Sequence, residues 1–223
     1  LGELSLGVAG GVESMSNVPR YLYAGRAKGQ ILGDMTLVDG LFGALTDTYV
    51  GDGELMGLLT ERLVEKYGVS REQQDEIAAR SHQNALAAWD EGRFADYVVP
   101  VEIPQRRGDP KVVSRDEGPK AITVDKLAAA KPYFKKDGTI TAANASSLND
   151  AAAALVLCTE DKAKELGLEV LCELRAFHNV GVPREYMGEG AFKVIPPLLQ
   201  RDGKGVGDID YFEINEAFAA VVG

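Results

Sequence analysis

The amino-acid sequence predicts an α/β fold in which helices cover a mixed or parallel sheet. From about residue 150 onward, strand-like and helix-like segments alternate along the chain, an order that favours helices layered on a sheet. The first of these segments, Ala151–Cys158, is a continuous apolar run, as in a strand covered on both faces. A long helix with clear start and stop signals lies upstream, between Ser70 and Gly92.

The first third of the chain predicts a strand, an irregular segment and a helix. Residues 1–12 are typical of the end of a buried strand that runs into a glycine turn at Gly10 and Gly11. Residues 17–53 have no sustained period, so we expect irregular structure there. Residues 54–67 carry leucines on about one face and are followed by Gly68, which predicts a helix that ends at the glycine.

The helix after Ser70 is the most clearly marked element. Ser70 is a good N-cap, and Gln73 three residues later completes a capping box. Gly92 provides the stop signal. The helix carries a stripe of mostly small residues: Ile77, Ala78, Ser81, Ala85, Ala88 and Trp89.

The remaining segments complete the predicted order. Prolines interrupt residues 94–138, which predicts an extended surface segment with short β-like pieces. The elements predicted there and beyond are β-like pieces at 98–101 and 111–114, a helix capped by Thr159 that ends at Gly167, strands at 170–177 and 208–214, and a helix from Asn215.

Composition and charge exclude several classes of function. The net charge of −10 argues against nucleic-acid binding, which needs a basic surface. No apolar run approaches the ~20 residues that span a membrane. The two cysteines, Cys158 and Cys172, predict no disulfide framework and fit a reducing compartment. We therefore expect an intracellular protein, with the cytoplasm as first choice.

One stretch of the chain is basic despite the acidic total. Residues 106–136 hold nine Lys and Arg against four Asp and Glu. A local positive patch of this kind can bind a small phosphorylated ligand. The alternative is a solvated loop of mixed charge, and charge alone favours that alternative.

Few residues signal chemistry directly. The two histidines, His82 and His178, and the two cysteines do not have metal-ligand spacing, so no zinc site is predicted. A structural role is the favoured interpretation for both histidines. Asn215 stands out because it would follow a strand and open a helix, the edge of an α/β sheet where ligands bind. An amide at such an edge can hold a water or an oxyanion.

Three segments together resemble the thiolase family. They are Gly-Gly-Val-Glu-Ser-Met at 10–15, Asn-Ala-Ser at 144–146 and Asn-Glu-Ala-Phe at 215–218. Met56-Gly57, the helix that ends near Trp89, and Met187-Gly188 follow in the family's order. The resemblance covers essentially the whole chain, which is little more than half of a family member, and it is closest to the acetyl-CoA C-acetyltransferases.

The resemblance implies an architecture. Thiolases stack two similar halves as α/β/α/β/α layers, with a loop domain inserted in the first half to cover coenzyme A, and this arrangement would be incomplete here. It implies the end of the first half at 1–18, the loop domain at 19–148, the last strand and helix of the first half at 149–168, and the start of the second half at 169–223. The basic stretch would lie in the loop domain and face coenzyme A phosphates.

The resemblance also implies a reaction and a site. Thiolases condense two acetyl-CoA molecules to acetoacetyl-CoA, or cleave it by thiolysis, through an acyl thioester on a cysteine, a strong nucleophile and good leaving group. Asn215 would hold a water in an oxyanion hole. Coenzyme A thioesters would be substrates, no cofactor or metal is implied, and the whole protein would be a homodimer or homotetramer. The substrate-binding residues implied are Met56, Phe134, Ala142, Ala145, Ser146, Leu148, Met187, Ala217 and Phe218.

Several family features are not found in these residues. The nucleophilic cysteine and the Gly-His-Pro histidine would lie upstream and downstream, so we expect an internal part of a longer protein, and neither Cys158 nor Cys172 matches a catalytic position. Leu55 stands where many members have a histidine that helps to bind substrate. Two alternatives stay open: a 3-ketoacyl-CoA thiolase for longer chains, and a non-catalytic acyl-CoA-binding module.

We predict that these 223 residues, expressed alone, have no thiolase activity, because the cysteine and histidine implied by the resemblance lie outside them. The assay is cleavage of acetoacetyl-CoA by free coenzyme A. The protein expressed from the complete reading frame that contains these residues (the full-frame protein) is the positive control. Measurable turnover by the isolated residues would contradict the prediction.

Overall fold

A computed structural model describes residues 3–22, 34–48 and 53–223. Part of the segment predicted to be irregular, 17–53, lies outside these residues. The described strands are β1 (Leu6–Glu13), β2 (Arg20–Tyr21), β3 (Val38–Asp39), β4 (Thr46–Asp47), β5 (Glu54–Leu55), β6 (Val101–Ile103), β7 (Lys111–Val113) and β8 (Ala151–Cys158). The described helices are α1 (Gly40–Ala44), α2 (Met56–Tyr67), α3 (Arg71–Asp90), α4 (Val124–Ala128), α5 (Glu160–Leu166), α6 (Gly190–Lys193), α7 (Ile195–Arg201) and α8 (Ala219–Val222).

The chain divides into two compact units. The first unit consists of Leu1–Met56, Leu148–Pro183 and Glu189–Glu213. The second unit consists of Gly57–Ser147, Arg184–Gly188 and Ile214–Gly223. The domain boundaries implied by the family resemblance remain predictions.

In the first unit, β1 and β8 form a two-stranded antiparallel sheet. The register runs from Leu6 opposite Cys158 to Glu13 opposite Ala151. Both strands were predicted, but the prediction that they are buried is wrong for the described residues, because Val8 is 76% exposed and Val156 is 65% exposed. The apolar pattern identified the strands correctly. Burial depends on layers above and below them, which the described residues of this unit do not supply.

Helix α5 of the first unit follows its predicted boundaries. The hydroxyl of Thr159 accepts a hydrogen bond from the Lys162 N–H at 3.3 Å, which caps the first turn. Gly167 ends the helix in the left-handed conformation, with φ of 63°, a conformation that glycine adopts without a steric cost.

Two predicted strands of the first unit are not formed. Residues 170–177 have no regular structure, and neither do residues 209–214, which follow a short 3₁₀ turn at Val206–Asp208. A strand is defined by the hydrogen-bonded neighbour beside it. Among the described residues neither segment has such a neighbour, so the strand-like sequence alone did not produce a strand.

The second unit is built on α2 and α3. Helix α2 buries Leu59 and Leu63, as the leucine periodicity predicted, and also Val64. It begins two residues later than expected. Helix α3 has the predicted capping box, with the Ser70 hydroxyl accepting from the Gln73 N–H. The apolar core cluster of this unit is formed by Ala78, Ala79 and Leu127.

The guanidinium of Arg71, on α3, binds the C-terminal end of α4. Arg71 donates to the carbonyl oxygens of Leu127 and Ala130 at 2.6 and 3.1 Å. These carbonyls lie at the C-terminal end of α4, where the Leu127 carbonyl also accepts from the Ala130 N–H at 2.9 Å. Arg71 also forms an ion pair with Asp75 at 2.7 Å, so the same side chain joins the end of α4 to a buried carboxylate of α3.

The proline-rich segment of the second unit contains a small hairpin. Strands β6 and β7 pair antiparallel, with Val101 opposite Val113, close to the two β-like pieces that were predicted.

In the part of the chain that the structure describes, no helix combines the length and apolar character needed to cross a membrane.

A hydrogen bond in the first unit gives a pH-dependent prediction. The Ser16 N–H donates to Asp150 Oδ1 at 2.8 Å and lowers the pKa of that carboxyl. Because the pKa is lowered in the folded state, the carboxylate stabilises the fold above its unfolded pKa of about 3.9. That contribution is lost as the pH falls through the lowered value.

We therefore expect Asp150→Asn to reduce the free energy of unfolding of the full-frame protein near neutral pH. The difference from wild type should shrink as the pH falls from about 5 to about 3. Urea unfolding at several pH values measures it, with Asp96→Asn as control at another exposed carboxyl. A difference that stays constant over this range would contradict the prediction.

Candidate active site

Two segments far apart in the sequence meet in the second unit. Ala145 and Phe218 form an isolated antiparallel bridge. The Ser146 N–H donates to the Ala217 carbonyl at 3.0 Å, and the Ala219 N–H donates to the Asn144 carbonyl at 2.9 Å. The Asn-Ala-Ser and Asn-Glu-Ala-Phe segments are therefore direct neighbours.

The bridge changes the predicted local structure around Asn215. The helix was predicted to open at Asn215, whereas α8 begins at Ala219. Phe218 has extended dihedrals, φ −142° and ψ 139°, because it pairs with Ala145 instead of joining the helix. Asn215 is thus an exposed residue just before the bridge, and the strand predicted to precede it is absent.

A buried amide fixes the shape of the Asn-Ala-Ser segment. Asn144 is 3% exposed. Its Nδ2 donates to Asp75 Oδ1 at 3.0 Å and to the Thr139 carbonyl at 3.1 Å. Its Oδ1 accepts from the Thr141 N–H at 2.8 Å. One side chain therefore closes the turn over 139–144 and ties it to α3.

A buried carboxylate from α2 holds the start of the same turn. Glu61 is 3% exposed. It accepts from the N–H groups of Thr139 and Ile140, each at 2.8 Å, and from the Thr139 hydroxyl at 3.1 Å. Gln74, on α3, donates to that hydroxyl at 2.9 Å. A buried charge is tolerated when several donors surround it, and here those donors are the backbone of the site.

Sequence reasoning missed these buried polar residues. Glu61 lies three residues before the buried Val64 on α2, and Asp75 lies four residues before the buried Ala79 on α3. Residues three or four apart share a helix face. Asp and Glu are rarely buried without partners. A carboxylate on the same helix face as buried apolar residues is therefore the signal that could have identified them.

The two aromatic residues predicted to line the substrate channel are in contact. The rings of Phe134 and Phe218 lie 6.2 Å apart between centroids at an interplanar angle of 79°. This edge-to-face arrangement is a favourable one for aromatic pairs. Both residues are half-buried, so part of each ring is accessible at the surface of this unit.

The other predicted substrate-binding residues differ in exposure. Ala142 is exposed, and Met187 is half-buried in a 3₁₀ turn at Arg184–Glu189. Met56 and Leu148 are 37% and 60% exposed and belong to the first unit. Their roles remain predictions.

Two cations of the basic stretch are held by acids of the protein itself. Lys135 pairs with Glu65, and this hydrogen bond raises the pKa of the lysine. Arg115 pairs with Asp90 at 3.0 Å and lies 5.6 Å from the centre of the Trp89 ring. For these two residues the mixed-charge loop is the better interpretation, so the predicted phosphate contact depends on the other cations.

His82 makes a structural contact, the two cysteines are exposed, and the role of His178 stays a prediction. His82 Nδ1 accepts from the Lys120 N–H at 3.4 Å, which joins α3 to the proline-rich segment. Cys158 and Cys172 are exposed. Within residues 3–22, 34–48 and 53–223, no three potential metal-ligating side chains cluster.

We predict that Asn144→Ala lowers the free energy of unfolding of the full-frame protein by about 1–3 kcal/mol, because it leaves the buried Thr141 N–H without its acceptor. Urea unfolding gives the value. Asn84→Ala, at an exposed position of α3, is the matched control and should change it by less than about 0.5 kcal/mol. Equal effects of the two substitutions would contradict the role assigned to Asn144.

Comparison with known proteins identifies the family. The sequence model "Thiolase, N-terminal domain" matches residues 1–161, and "Thiolase, C-terminal domain" matches residues 168–222. A "probable acetyl-CoA acyltransferase" of Staphylococcus epidermidis is 46% identical over 98% of this chain, which spans 55% of that protein. A protein of the same name from Staphylococcus aureus is 45% identical over the same share, which is 56% of its length.

Solved structures agree with this result. The Bacillus anthracis acetyl-CoA acetyltransferase has a TM-score of 0.88 and 44% identity, over 98% of this chain and 55% of that one. Human mitochondrial 3-ketoacyl-CoA thiolase has a TM-score of 0.89 and 33% identity, over the same shares. The chain thus spans about half the length of these relatives, and the predicted thiolase-type α/β fold is confirmed. These 223 residues belong to the thiolase family.

Proposed function

We propose that the protein carrying this chain is a thiolase-type acyltransferase that condenses two acetyl-CoA molecules to acetoacetyl-CoA and catalyses the reverse thiolysis. The observation that carries the proposal is the bridge between Ala145 and Phe218. It joins the two segments that the family resemblance assigns to coenzyme A binding and to the oxyanion hole. The acyl group would be held as a thioester on a cysteine outside these residues.

Asn215 is proposed to act at the reacting carbonyl. Both condensation and thiolysis place negative charge on a thioester oxygen, and a fixed donor near that oxygen lowers the barrier. Asn215 is exposed, and the bridged residues Ala217 and Phe218 fix the backbone just after it. We propose that its amide orients a water that donates to the oxyanion.

The neighbouring residues are proposed to bind the rest of the substrate. Ala145 and Ser146 would contact the pantetheine arm, and Phe134 and Phe218 would form an apolar wall beside the acyl group. Met56, Ala142, Leu148, Met187 and Ala217 complete the proposed set. Coenzyme A thioesters serve as substrates in this scheme without a further cofactor, and the whole protein would assemble as a homodimer or homotetramer.

A 3-ketoacyl-CoA thiolase for longer chains is the second candidate. It is supported by the TM-score of 0.89 to the human mitochondrial 3-ketoacyl-CoA thiolase and by Leu55 at a position where many thiolases have histidine. The higher identity to the Bacillus anthracis acetyl-CoA acetyltransferase, 44% against 33%, favours the first proposal.

We expect the full-frame protein to cleave acetoacetyl-CoA in the presence of free coenzyme A. Asn215→Ala should lower kcat about 10²–10³-fold, the usual cost of losing an oxyanion donor. Loss of the enolate absorbance of acetoacetyl-CoA measures the rate. Asn179→Ala, at another exposed asparagine, should leave kcat unchanged.

Three outcomes would count against the proposal. A full-frame protein that cleaves no 3-ketoacyl-CoA would exclude both enzyme candidates and favour the binding module. A higher kcat/KM for 3-ketooctanoyl-CoA than for acetoacetyl-CoA would favour the second candidate. An Asn215→Ala variant with wild-type kcat would remove that residue from the reaction.

A further inference from the structure

Gly57 occupies a position in α2 where no side chain fits. A Cβ atom built on Gly57 would lie 2.3 Å from Cε2 and Cζ of Phe134 and 2.4 Å from Cδ2. Non-bonded carbon atoms are in contact at ~3.5–4.0 Å. The edge of the Phe134 ring therefore rests directly on the helix backbone, in a recess that exists only because residue 57 is glycine.

A glycine elsewhere in the described helices shows that this contact is specific. Gly43 lies in α1, and a Cβ atom built there would have nothing within 4 Å. Gly57 is the second residue of α2 and does not have a positive φ, so the helix backbone would accept alanine there and the choice of glycine calls for a reason. At Gly57 the reason is the ring of Phe134.

The backbone on either side of Phe134 is fixed, so only the ring can respond to a change at residue 57. The Tyr133 N–H donates to the Ile140 carbonyl at 2.9 Å, and the Lys135 carbonyl accepts from the Gly138 N–H at 3.0 Å. The Phe134 ring also contacts Phe218, which the bridge to Ala145 holds in place. Phe134 thus connects the recess in α2 to the bridged segments of the candidate site.

We propose that Gly57 is a specificity-determining residue, because it seats the Phe134 ring against α2 and so sets the room left for the acyl chain. This inference rests on the proposed function, in which Phe134 and Phe218 form the apolar wall beside the acyl group. A side chain at residue 57 moves the ring off the helix by about 1 Å and narrows the space next to that wall. The kcat/KM for longer acyl chains falls more than the kcat/KM for short ones.

The test is a double-mutant cycle in the full-frame protein with Gly57→Ala, Phe134→Leu and the combined variant. The ratio of kcat/KM for 3-ketohexanoyl-CoA to that for acetoacetyl-CoA should fall about tenfold or more in Gly57→Ala, the usual effect of a misfit of one methylene. In the Phe134→Leu background, Gly57→Ala should change the ratio by less than about threefold, since the clashing ring is gone. Gly43→Ala should leave it unchanged.

A second measurement tests the recess without relying on activity. In urea unfolding, Gly57→Ala should lower the midpoint in the wild-type background and lower it much less in the Phe134→Leu background. If Gly57→Ala alone does not fold, recovery of folding in the combined variant supports the recess. Equal losses in both backgrounds would overturn it.

The two proposals fail in different ways. If wild type cleaves acetoacetyl-CoA and folded Gly57→Ala keeps the wild-type ratio, the inference about Gly57 is wrong and the proposed function stands. If wild type cleaves no 3-ketoacyl-CoA, the proposed function is wrong and the role of Gly57 in specificity falls with it. The unfolding cycle still decides whether Gly57 seats Phe134.

Discussion

The candidate site depends on two buried carboxylates that hold a turn of the backbone. Glu61 on α2 and Asp75 on α3 are 3% and 1% exposed, and a charge so far from water is costly unless donors surround it. Glu61 takes its donors from the backbone of residues 139 and 140, and Asp75 takes its donors from Arg71 and Asn144. The requirement to satisfy these charges fixes the turn between the two helices.

The rest of the site follows from that turn. Asn144 leads directly into Ala145, which pairs with Phe218 and so determines where α8 begins. Phe218 in turn contacts the ring of Phe134, whose edge rests on Gly57 of α2. Helix α2 therefore supports the candidate site in two ways. The Glu61 carboxylate binds the turn, and Gly57 leaves room for the Phe134 ring. These residues are coupled, so effects of substituting them together should not be additive.

Apolar side chains are buried in the core of the second unit and exposed on the two-stranded sheet of the first unit. In the second unit, apolar helix faces meet and bury a core around Ala78, Ala79 and Leu127. In the first unit, β1 and β8 pair with each other while their apolar side chains remain exposed among the described residues. The chain spans about 55% of the length of its relatives.

The sequence by itself determined the local elements and the family. Capping at Ser70 and Thr159, the leucine period of α2 and the apolar run of β8 are local signals, and the Asn-Glu-Ala-Phe segment pointed to the candidate site. Only the tertiary structure decided which strands find partners and which polar residues are buried. The segment before Asn215 was predicted to be a strand but has no neighbour among the described residues, and the donors of Glu61 come from residues 139 and 140, which are far from it in the sequence. Strand pairing and the partners of a buried carboxylate depend on groups distant in the chain, and no local pattern identifies those groups.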